Sequence, residues 1–346
     1  MSAPSQPERN SPPPAVECSV VVPIKGGDSD HLNLLASIEE AEKPVPLEVI
    51  LVYDGWWGPE PKAGPSFPIQ RLSSKTPAGA AHCRNLGAEK ALGRWLCFCD
   101  ADTTWHPDTL SKAWSFIESQ KLDGLVGSYD RKPGDPGIIS QFRNLLHAFH
   151  HHQQAGALGV FWGAFGLVNR QAFFKVNGFD AHTFQGATVE DIDLGYRLHR
   201  AGFRLELRPE VLIKHHKRWT LGNMIQTDLF RRAIPWTHLL EQHKMWKENR
   251  LNVNPLEKVT ALLAGCQVLC LLLAFWLPWS LLIWVGLFSI YVILQQRFYA
   301  FISPNFEKFQ LPGILGLHLI YYLVAAIGFG LGKLKMGKVN SNLVMR

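Results

Sequence analysis

Uninterrupted hydrophobic runs alternate with stretches of helical spacing over the first hundred residues of the chain. The runs Cys18 to Ile24, Leu47 to Tyr53 and Trp95 to Cys99 have the length and composition of strands that are buried on both faces. His31 to Glu42 and Ala78 to Leu92, which lie between these runs, have a helical pattern. Strands that alternate with helices require right-handed crossovers, so the pattern predicts an α/β fold with a mostly parallel, Rossmann-like sheet.

Polar or charged residues stand where each predicted strand ends. Pro23 and Lys25 close the first run, Asp54 follows the second, and Asp100 and Asp102 follow the third. Ligands of parallel sheets collect at the carboxyl ends of the strands. These five residues are therefore candidates for a single binding site.

Asp100 and Asp102 are one residue apart, and alternate residues of an extended segment point the same way. Two convergent carboxylates repel each other unless a cation lies between them. Hard oxygen ligands favour Mg²⁺ or Mn²⁺, which commonly keep open positions for substrate phosphates. The pair indicates a metal–nucleotide site, and the alternative is a solvated turn that carries two acids.

The order of these and later motifs resembles that of family 2 glycosyltransferases, which have the GT-A fold and use nucleotide-activated sugars. The resemblance extends from about Cys18 to Trp236. The matching segments are Val21 to Pro23, Tyr53 to Gly55, Cys83 to Gly87, Leu96 to Asp102, Asn177 to Asp180, Val189 to Leu198 and His215 to Trp219.

The resemblance implies roles for the residues near the donor. Asp102 would be the direct ligand of the divalent ion on the sugar-nucleotide diphosphate, and Asp100 would face the ribose or the sugar and assist in metal binding. Asp54 would read the base, although Tyr53 stands where the family usually has a second acid. Arg84 would lie against the nucleotide, beside the donor-binding positions at the end of the first strand.

The acidic pair Glu190 and Asp191 matches the catalytic acids of the family, in which the second acid acts as the general base. A carboxylate that is removed from water has a raised pKa, which makes it a better base near neutral pH. Inversion at the sugar carbon is implied by family resemblance. The alternative is an acidic helix start that the helix dipole favours.

Two further segments are candidates for contact with the acceptor or the diphosphate. Arg218 and Trp219 resemble the end of the family's Gln-x-x-Arg-Trp element, with His215 in place of Gln, where it could bind metal or phosphate. Trp162 and Gly163 offer an aromatic surface and a close backbone approach for a sugar. Ordinary core packing is an equal alternative for the second pair.

Four histidines fall in a predicted helix from Ile139 to Gln154. His147 and His151 are four residues apart, as in some zinc sites, but no third ligand is apparent from the sequence. We expect histidines exposed on a helix surface, with binding of an acceptor phosphate as the functional alternative.

Apolar residues are concentrated towards the end of the chain, although the overall mean hydropathy is only −0.01. Val259 to Leu294 is too long for one membrane span and contains Pro278, which predicts a hairpin of two spans. Leu311 to Leu331 predicts another span, and Gln295 to Gln310 reads as an interfacial segment. Helices of a soluble core are the alternative.

Basic residues before the first predicted span, among them Lys244 and Lys258, place the catalytic domain in the cytoplasm by the positive-inside rule. Three spans would put the basic tail on the opposite side, so either the tail is an exception or one segment is re-entrant or interfacial. No signal-peptide pattern is apparent. The expected order is a disordered tail (1–16), a GT-A domain (17–220), interfacial helices (221–258), two or three transmembrane helices (259–333) and a basic tail (334–346).

These features together predict a multi-pass protein of the cell (inner) membrane. The expected activity is metal-dependent, inverting transfer of a sugar from a nucleotide-sugar donor to a lipid-linked or membrane-proximal acceptor. The alternatives are a catalytically silent membrane scaffold and a nucleotidyltransferase. The net charge of +6 suits an anionic membrane surface, and the absence of a nucleic-acid motif makes nucleic acid an unexpected partner.

Overall fold

A computed structural model describes residues 16–59, 64–74, 76–157, 159–184, 188–244 and 254–344. The predicted disordered tail lies outside the described residues except for Val16. The side chains of 335–344, and residues 345–346 of the predicted basic tail, also lie outside them.

A nine-stranded mixed sheet forms the centre of the described structure. Its order is β3-β2-β1-β4-β8-β6-β9-β5, with the short β7 paired to β9. The strands are β1 (Cys18–Lys25), β2 (Leu47–Asp54), β3 (Ile69–Ser74), β4 (Trp95–Cys99), β5 (Thr103–Trp105), β6 (Gly124–Tyr129), β7 (Gly156–Ala157), β8 (Phe165–Asn169) and β9 (Leu205–His215).

The first four strands are mutually parallel. The alternating pattern predicts β1, β2 and β4, whereas β3, which pairs with β2 at the edge of the sheet, is a strand that it does not predict. Beyond β4 the sheet becomes mixed, because β8 is inserted antiparallel between β4 and β6. Strands β6 and β9 are parallel to each other, and β5 is antiparallel to β9. The sheet is therefore half parallel and half antiparallel in its pairings, the mixed arrangement of GT-A domains.

Helices cover both faces of the sheet, which explains why its central strands are uninterrupted apolar runs. α1 and α3 pack on one face, and α2, α5 and α6 pack on the other. Burying a side chain of leucine size contributes roughly 1.5–3 kcal/mol, so these two clusters hold the sheet together. The helices are α1 (His31–Glu40), α2 (Ala80–Lys90), α3 (Thr109–Gln120), α4 (Ile138–Gln153), α5 (Arg170–Lys175) and α6 (Glu190–Arg200).

Helices from the second half of the chain form a third layer around α4. A buried cluster joins Phe142 and Phe149 of α4 to Phe298, Tyr321 and other aromatic residues near the end of the chain. These helices are α7 (Leu221–Gln226), a π-helical segment (Thr227–Ala233), α8 (Ile234–Gln242), α9 (Pro255–Leu273), α10 (Ser280–Leu294), α11 (Gln296–Ile302) and α12 (Leu311–Val344).

The expectation of exposed histidines on α4 is wrong. His147, His150 and His151 are all buried, while His152 is exposed. The reason is that α4 lies between strand β6 and the late helices, so almost all of its surface is covered. His151 Nδ1 is 3.0 Å from Ser128 Oγ of β6, and Phe149 packs on Phe298 of α11.

Two helices are long and apolar enough to span a membrane, Pro255–Leu273 and Lys308–Leu334. Helix α10 follows α9 after a break that contains Pro278, and it continues into α11 across a bend of 63°, so this bent pair could provide a third span. Large side chains on α9, α10 and the break between them are exposed, including Leu262, Phe275 and Leu282.

Helix α12 packs along the π-helical segment and α8. A Cβ on Gly328 would lie 2.3 Å from the Cβ of Ala233, and one on Gly332 would lie 2.7 Å from that of Thr237. These two glycines are four residues apart on one helix face and permit close helix contact. Lys333 also forms an ion pair with Glu241.

Candidate active site

The turn after β4 presents two carboxylates at the carboxyl edge of the sheet. Thr103 holds the turn, because its backbone N–H and its hydroxyl both donate to the Asp100 carbonyl, at 3.2 and 2.7 Å. The side chains of Asp100 and Asp102 remain 34% and 30% exposed, so both can be reached by a ligand from solvent.

Strand β9 brings a histidine to this turn. Because β5 pairs with the end of β9, His215 Nε2 lies 3.6 Å from Asp102 Oδ2, and the His216 N–H donates to the Asp102 carbonyl at 2.8 Å. Burial raises the pKa of Asp102, but His215 and then Lys217 outweigh it, and the net pKa is lowered. Asp102 is thereby favoured as a carboxylate.

Arg84 of α2 connects the two acidic segments. Its Nη2 donates to Asp100 Oδ1 at 2.8 Å, and its Nη1 donates to Glu190 Oε1 at 2.9 Å. The side chain is almost completely buried. Burial opposes the charge, but Asp100 and Glu190 together raise the pKa of Arg84, so the guanidinium stays protonated. This bridge fixes the start of α6 relative to the turn after β4.

Asp191 occupies the first turn of α6, next to Glu190. Its Oδ2 accepts from the Gly163 N–H at 3.0 Å, and its Oδ1 accepts from the Ile192 N–H at 2.8 Å. Burial, followed by the charge of Glu190, raises the pKa of Asp191 to about 7. A carboxyl group with this pKa can accept a proton near neutral pH.

Gly163 lies where the backbone passes close to the Arg84 guanidinium. A Cβ at this position would lie 2.7 Å from Arg84 Nη2. The preceding residue, Trp162, is half-buried and packs edge-on against the rings of His147 and His151, at centroid distances of 5.4 and 4.0 Å. The segment therefore belongs both to the core and to the site.

The residues after β1 and β2 form a separate part of the same edge. Lys25 is exposed and Pro23 is half-buried. Both oxygens of Asp54 accept backbone N–H groups at the start of α2, from Ala78 at 2.7 Å and from Gly79 at 3.0 Å. Asp54 thus fixes the α2 start, and its predicted contact with the base stays a prediction.

Two tryptophans that the sequence patterns do not single out, Trp56 and Trp57, lie next to Asp54. Trp56 and Trp57 are 78% and 59% exposed, and Trp57 leans on the buried Tyr53 with ring centroids 5.2 Å apart. Exposed tryptophans at a sheet edge offer a stacking surface for a base or a sugar. The sequence signal was the pair itself, between Gly55 and Gly58.

The structure brings some of the predicted site residues into direct contact and leaves others apart. Arg84, Asp100, Glu190, Asp191 and Gly163 form one network, and Asp102 with His215 lies beside it at the Asp100–Asp102 turn. Arg218 is exposed. Trp219 is buried in the layer around α4, where its backbone N–H donates to Ser140 Oγ at 2.8 Å. The roles predicted for all of these residues stay predictions.

A divalent ion would find few protein ligands ready in place. Within the described ranges, no group of three or more His, Cys, Asp or Glu side chains is arranged to hold a metal ion. Mg²⁺ characteristically takes one or two carboxylates and completes its shell with substrate phosphates and water. The pair Asp100 and Asp102 fits that donor set.

A mixed α/β sheet with its polar edge at the carboxyl ends of the strands is typical of the GT-A fold. A family model described as glycosyl transferase family group 2 matches residues 95–327. The chain belongs to this family, and it is an enzyme of the glycosyltransferase class.

Relatives that are named as glycosyltransferases agree with this assignment. The chain is 26% identical, over 65% of its length and 81% of the relative's, to N-acetylglucosaminyl-diphospho-decaprenol L-rhamnosyltransferase of Mycobacterium tuberculosis (strain ATCC 25618 / H37Rv). It is 24% identical to the amylovoran biosynthesis glycosyltransferase AmsB of Erwinia amylovora, over 51% of this chain and 59% of that one.

The fold is also similar to that of the mannosyltransferase PcManGT from Pyrobaculum calidifontis, solved in complex with GDP-Man and Mn²⁺. The TM-score is 0.50 with 18% identity, and the match covers 94% of this chain and 90% of that one. At this identity the likeness shows the shared fold alone.

Proposed function

We propose that this enzyme is a metal-dependent, inverting glycosyltransferase that moves a sugar from a nucleotide donor to a lipid-linked acceptor at the cell membrane. The observation that carries the proposal is the bridge made by Arg84, which joins Glu190, the chain neighbour of Asp191, to Asp100 in the turn of Asp100 and Asp102. A proton acceptor and a candidate diphosphate site are thereby held in one rigid arrangement.

Asp102 and Asp100 would hold Mg²⁺ or Mn²⁺ together with the donor diphosphate. The Mn²⁺ and GDP-Man bound by PcManGT support this role. When bound, the ion would supply Lewis-acid stabilisation of the charge on the leaving diphosphate. Lys25 is exposed at the same edge and would add positive charge, while Asp54 and the exposed Trp56 and Trp57 would lie near the base.

Asp191 would act as the general base. It removes the proton of an acceptor hydroxyl while that oxygen bonds to the anomeric carbon and the bond from that carbon to the diphosphate breaks. The electron pair leaves with the nucleoside diphosphate, and a single displacement inverts the carbon. Gly163 holds one oxygen of Asp191, and the charge of Glu190 helps to keep its pKa near 7.

Arg84 would act as a positioning residue, since both of its terminal nitrogens are engaged by Asp100 and Glu190. His215, beside Asp102, would face the diphosphate or the metal. Arg218 is exposed and would be available to acceptor phosphate, and Trp162 would offer its free edge to the acceptor sugar.

The membrane location is supported by the apolar helices and by the relative that acts on a decaprenol-linked substrate. We propose that the α9–α10 hairpin enters the bilayer from the cytoplasmic side and that α12 lies along α8 at the membrane surface. This arrangement puts Lys258 and the basic tail on the same side, which resolves the conflict between three spans and the positive-inside rule.

Membership of a glycosyltransferase family argues against the nucleotidyltransferase. The presence of all four acids, Asp100, Asp102, Glu190 and Asp191, argues against the silent scaffold. The test is release of nucleoside diphosphate by the purified protein with a panel of sugar nucleotides, Mg²⁺ or Mn²⁺, and membrane lipid. Release that requires a donor, metal and lipid together is the expected result. Release of pyrophosphate, or release that is independent of lipid and metal, would contradict the proposal.

A further inference from the structure

A cavity of about 540 Å³ lies between α4, the π-helical segment, α8, α9 and α12. One part of its wall is apolar and includes Leu262 of α9 and Ala326 and Phe329 of α12. The other part is polar and includes Arg143 and Arg232. An elongated amphipathic ligand matches a cavity with these two parts.

The polar part carries excess positive charge. Its charged lining residues are the cations Arg143, Arg232 and Lys258 and the acids Asp228 and Glu257. Arg143 and Asp228 form a buried pair at 2.5 Å, and Glu257 accepts from the Tyr322 hydroxyl at 2.7 Å. Burial lowers the pKa of Arg143 more than Asp228 restores it, and the charge of Arg232 adds to the lowering. An added anion would offset this repulsion.

Arg232 is the cation best placed to receive that anion. Its Nη1 donates to His147 Nε2 at 2.8 Å, and burial, followed by Arg232, lowers the pKa of His147 so that the ring is neutral. Among the residues that the structure describes, no carboxylate lies within ion-pair distance of Arg232. Its charge is therefore balanced by no acid in the described part of the chain.

Unused hydrogen-bonding groups surround the same region. Trp236 lines the cavity, and its Nε1 donor is buried without a partner in the described part of the chain. Arg143 Nε is likewise unpaired within the described ranges. Buried donors normally have partners, so these two groups favour an acceptor-rich ligand such as a phosphate. Asp228 Oδ2, an unpaired buried acceptor in the same wall, would need a donor such as a hydroxyl of that ligand.

A chain of side-chain contacts leads from the polar part of the cavity to the candidate active site. Arg232 contacts His147, and the His147 ring packs on Trp162, whose neighbour Gly163 donates to Asp191. The apolar part leads the other way, because Leu262 and Phe329 are 68% and 44% exposed on helices apolar enough to enter a membrane. The cavity thus lies between a lipid phase and the proposed base.

We propose that this cavity binds an acceptor lipid whose phosphate or diphosphate lies at Arg232, with the hydrocarbon chain against Leu262, Ala326 and Phe329. The inference rests on the proposed transfer to a lipid-linked acceptor and narrows its substrate class. A phosphate oxygen is already ionised near neutral pH and needs no general base, whereas a hydroxyl does. The acceptor therefore carries a hydroxyl-bearing head group beyond the phosphate, directed along Trp162 towards Asp191. Uncharged lipids such as diacylglycerol lack the group that the polar part recognises.

The test measures lipid binding separately from turnover. Native mass spectrometry of the full chain in detergent would compare decaprenyl phosphate with decaprenol, and inorganic phosphate would be added as a competitor. Ala326→Trp fills the cavity and Arg232→Gln removes the charge. Ala300→Trp is the matched control, since Ala300 is exposed on α11 and does not line the cavity.

We expect decaprenyl phosphate to bind the wild type at least tenfold more tightly than decaprenol, and millimolar inorganic phosphate not to displace it. Ala326→Trp should weaken both lipids at least tenfold, Arg232→Gln should remove the preference for phosphate, and Ala300→Trp should behave as wild type. Binding of a sugar nucleotide, measured on each variant, verifies that the protein is folded.

Equal affinity for the two lipids, displacement by inorganic phosphate, or unchanged binding by Ala326→Trp would overturn the inference. The proposed function is tested separately from the cavity assignment, so either one can fail without the other. Tight, cavity-dependent lipid binding without sugar transfer to any lipid would refute the function and leave the cavity assignment standing. If sugar is transferred to lipid and Ala326→Trp leaves that transfer unchanged, the function stands and the cavity assignment is refuted.

Discussion

Replacing Asp191 by asparagine should abolish sugar transfer and at the same time stabilise the protein at neutral pH. The amide oxygen of asparagine can still accept from the Gly163 N–H, but its NH2 group cannot accept from the Ile192 N–H, so the change removes the charge and one backbone hydrogen bond. Burial and the charge of Glu190 raise the pKa of Asp191 from 3.8 to about 7, which means that ionisation is disfavoured in the folded protein. A base that is held in this way decreases stability.

The magnitude follows from the linkage between protonation and folding. A rise from 3.8 to about 7 corresponds to about 4 kcal/mol of unfolding free energy. Solvent reaches Asp191 in part, so screening reduces this figure to about 2 kcal/mol. The lost hydrogen bond from Ile192 costs about 1 kcal/mol, which leaves an expected gain of about 1 kcal/mol. Because the folded pKa exceeds the unfolded value, the wild type has this stability below pH 4 and loses it as the pH rises through 7. The advantage of Asp191→Asn should therefore grow between pH 4 and 7 and then level off.

Thermal unfolding of the detergent-solubilised wild type and Asp191→Asn at pH 5 and pH 8 measures this effect. Asp108→Asn is the control, because the Asp108 side chain is only half-buried and its hydrogen bond with Lys112 lowers its pKa, so its replacement should give no gain. If Asp191→Asn melts at the same temperature as the wild type at pH 8, or below it, the carboxylate is not held under electrostatic strain and the reasoning fails.

Three further predictions concern the same network. The acid limb of the pH profile of kcat/KM should lie near pH 7, with about a tenfold fall from pH 8 to pH 6, since Asp191 must be ionised; a limb near pH 4 would contradict the proposed base. Gly163→Ala should reduce turnover at least tenfold, because the added Cβ would displace the Arg84 guanidinium, whereas Gly222→Ala, which meets nothing within 4 Å, should leave steady-state rates unchanged. Removal of divalent ions by a chelator should abolish transfer, and Mn²⁺ or Mg²⁺ should restore it. Asp102→Asn should raise the Mn²⁺ concentration needed for the half-maximal rate. If wild type and Asp102→Asn need the same Mn²⁺ concentration, Asp102 is not a metal ligand.

The pattern of apolar runs was sufficient to predict three of the first four strands, and it missed the edge strand β3, which is only partly buried. β1, β2 and β4 are buried on both faces, so their sequences are uninterrupted and their carboxyl ends could be placed at one edge. The antiparallel insertion of β8 between β4 and β6 was not predictable, because strand order depends on packing between segments that are far apart in the sequence.

For the candidate active site as well, local motifs could be read from the sequence and contacts between distant segments could not. The acids could be picked out by their motifs, but the burial of Arg84 depends on Glu190, which lies 106 residues further along the chain. The burial of His147 likewise depends on Arg232 and on the layer of late helices. Local spacing contains no information about such partners, so it suggested an exposed position for His147. The nucleotide contact that the family resemblance implies for Arg84 stays a prediction.

The most direct test of the account is the transfer of a radiolabelled sugar from its nucleotide donor into the lipid phase of membranes. Wild type and Asp191→Asn would be compared in the presence of Mn²⁺. If Asp191 is the general base, we expect metal-dependent label in the lipid with the wild type. We expect none with Asp191→Asn, although that variant still binds the donor. Transfer by Asp191→Asn at the wild-type rate, or label that appears only as free sugar in water, would contradict it.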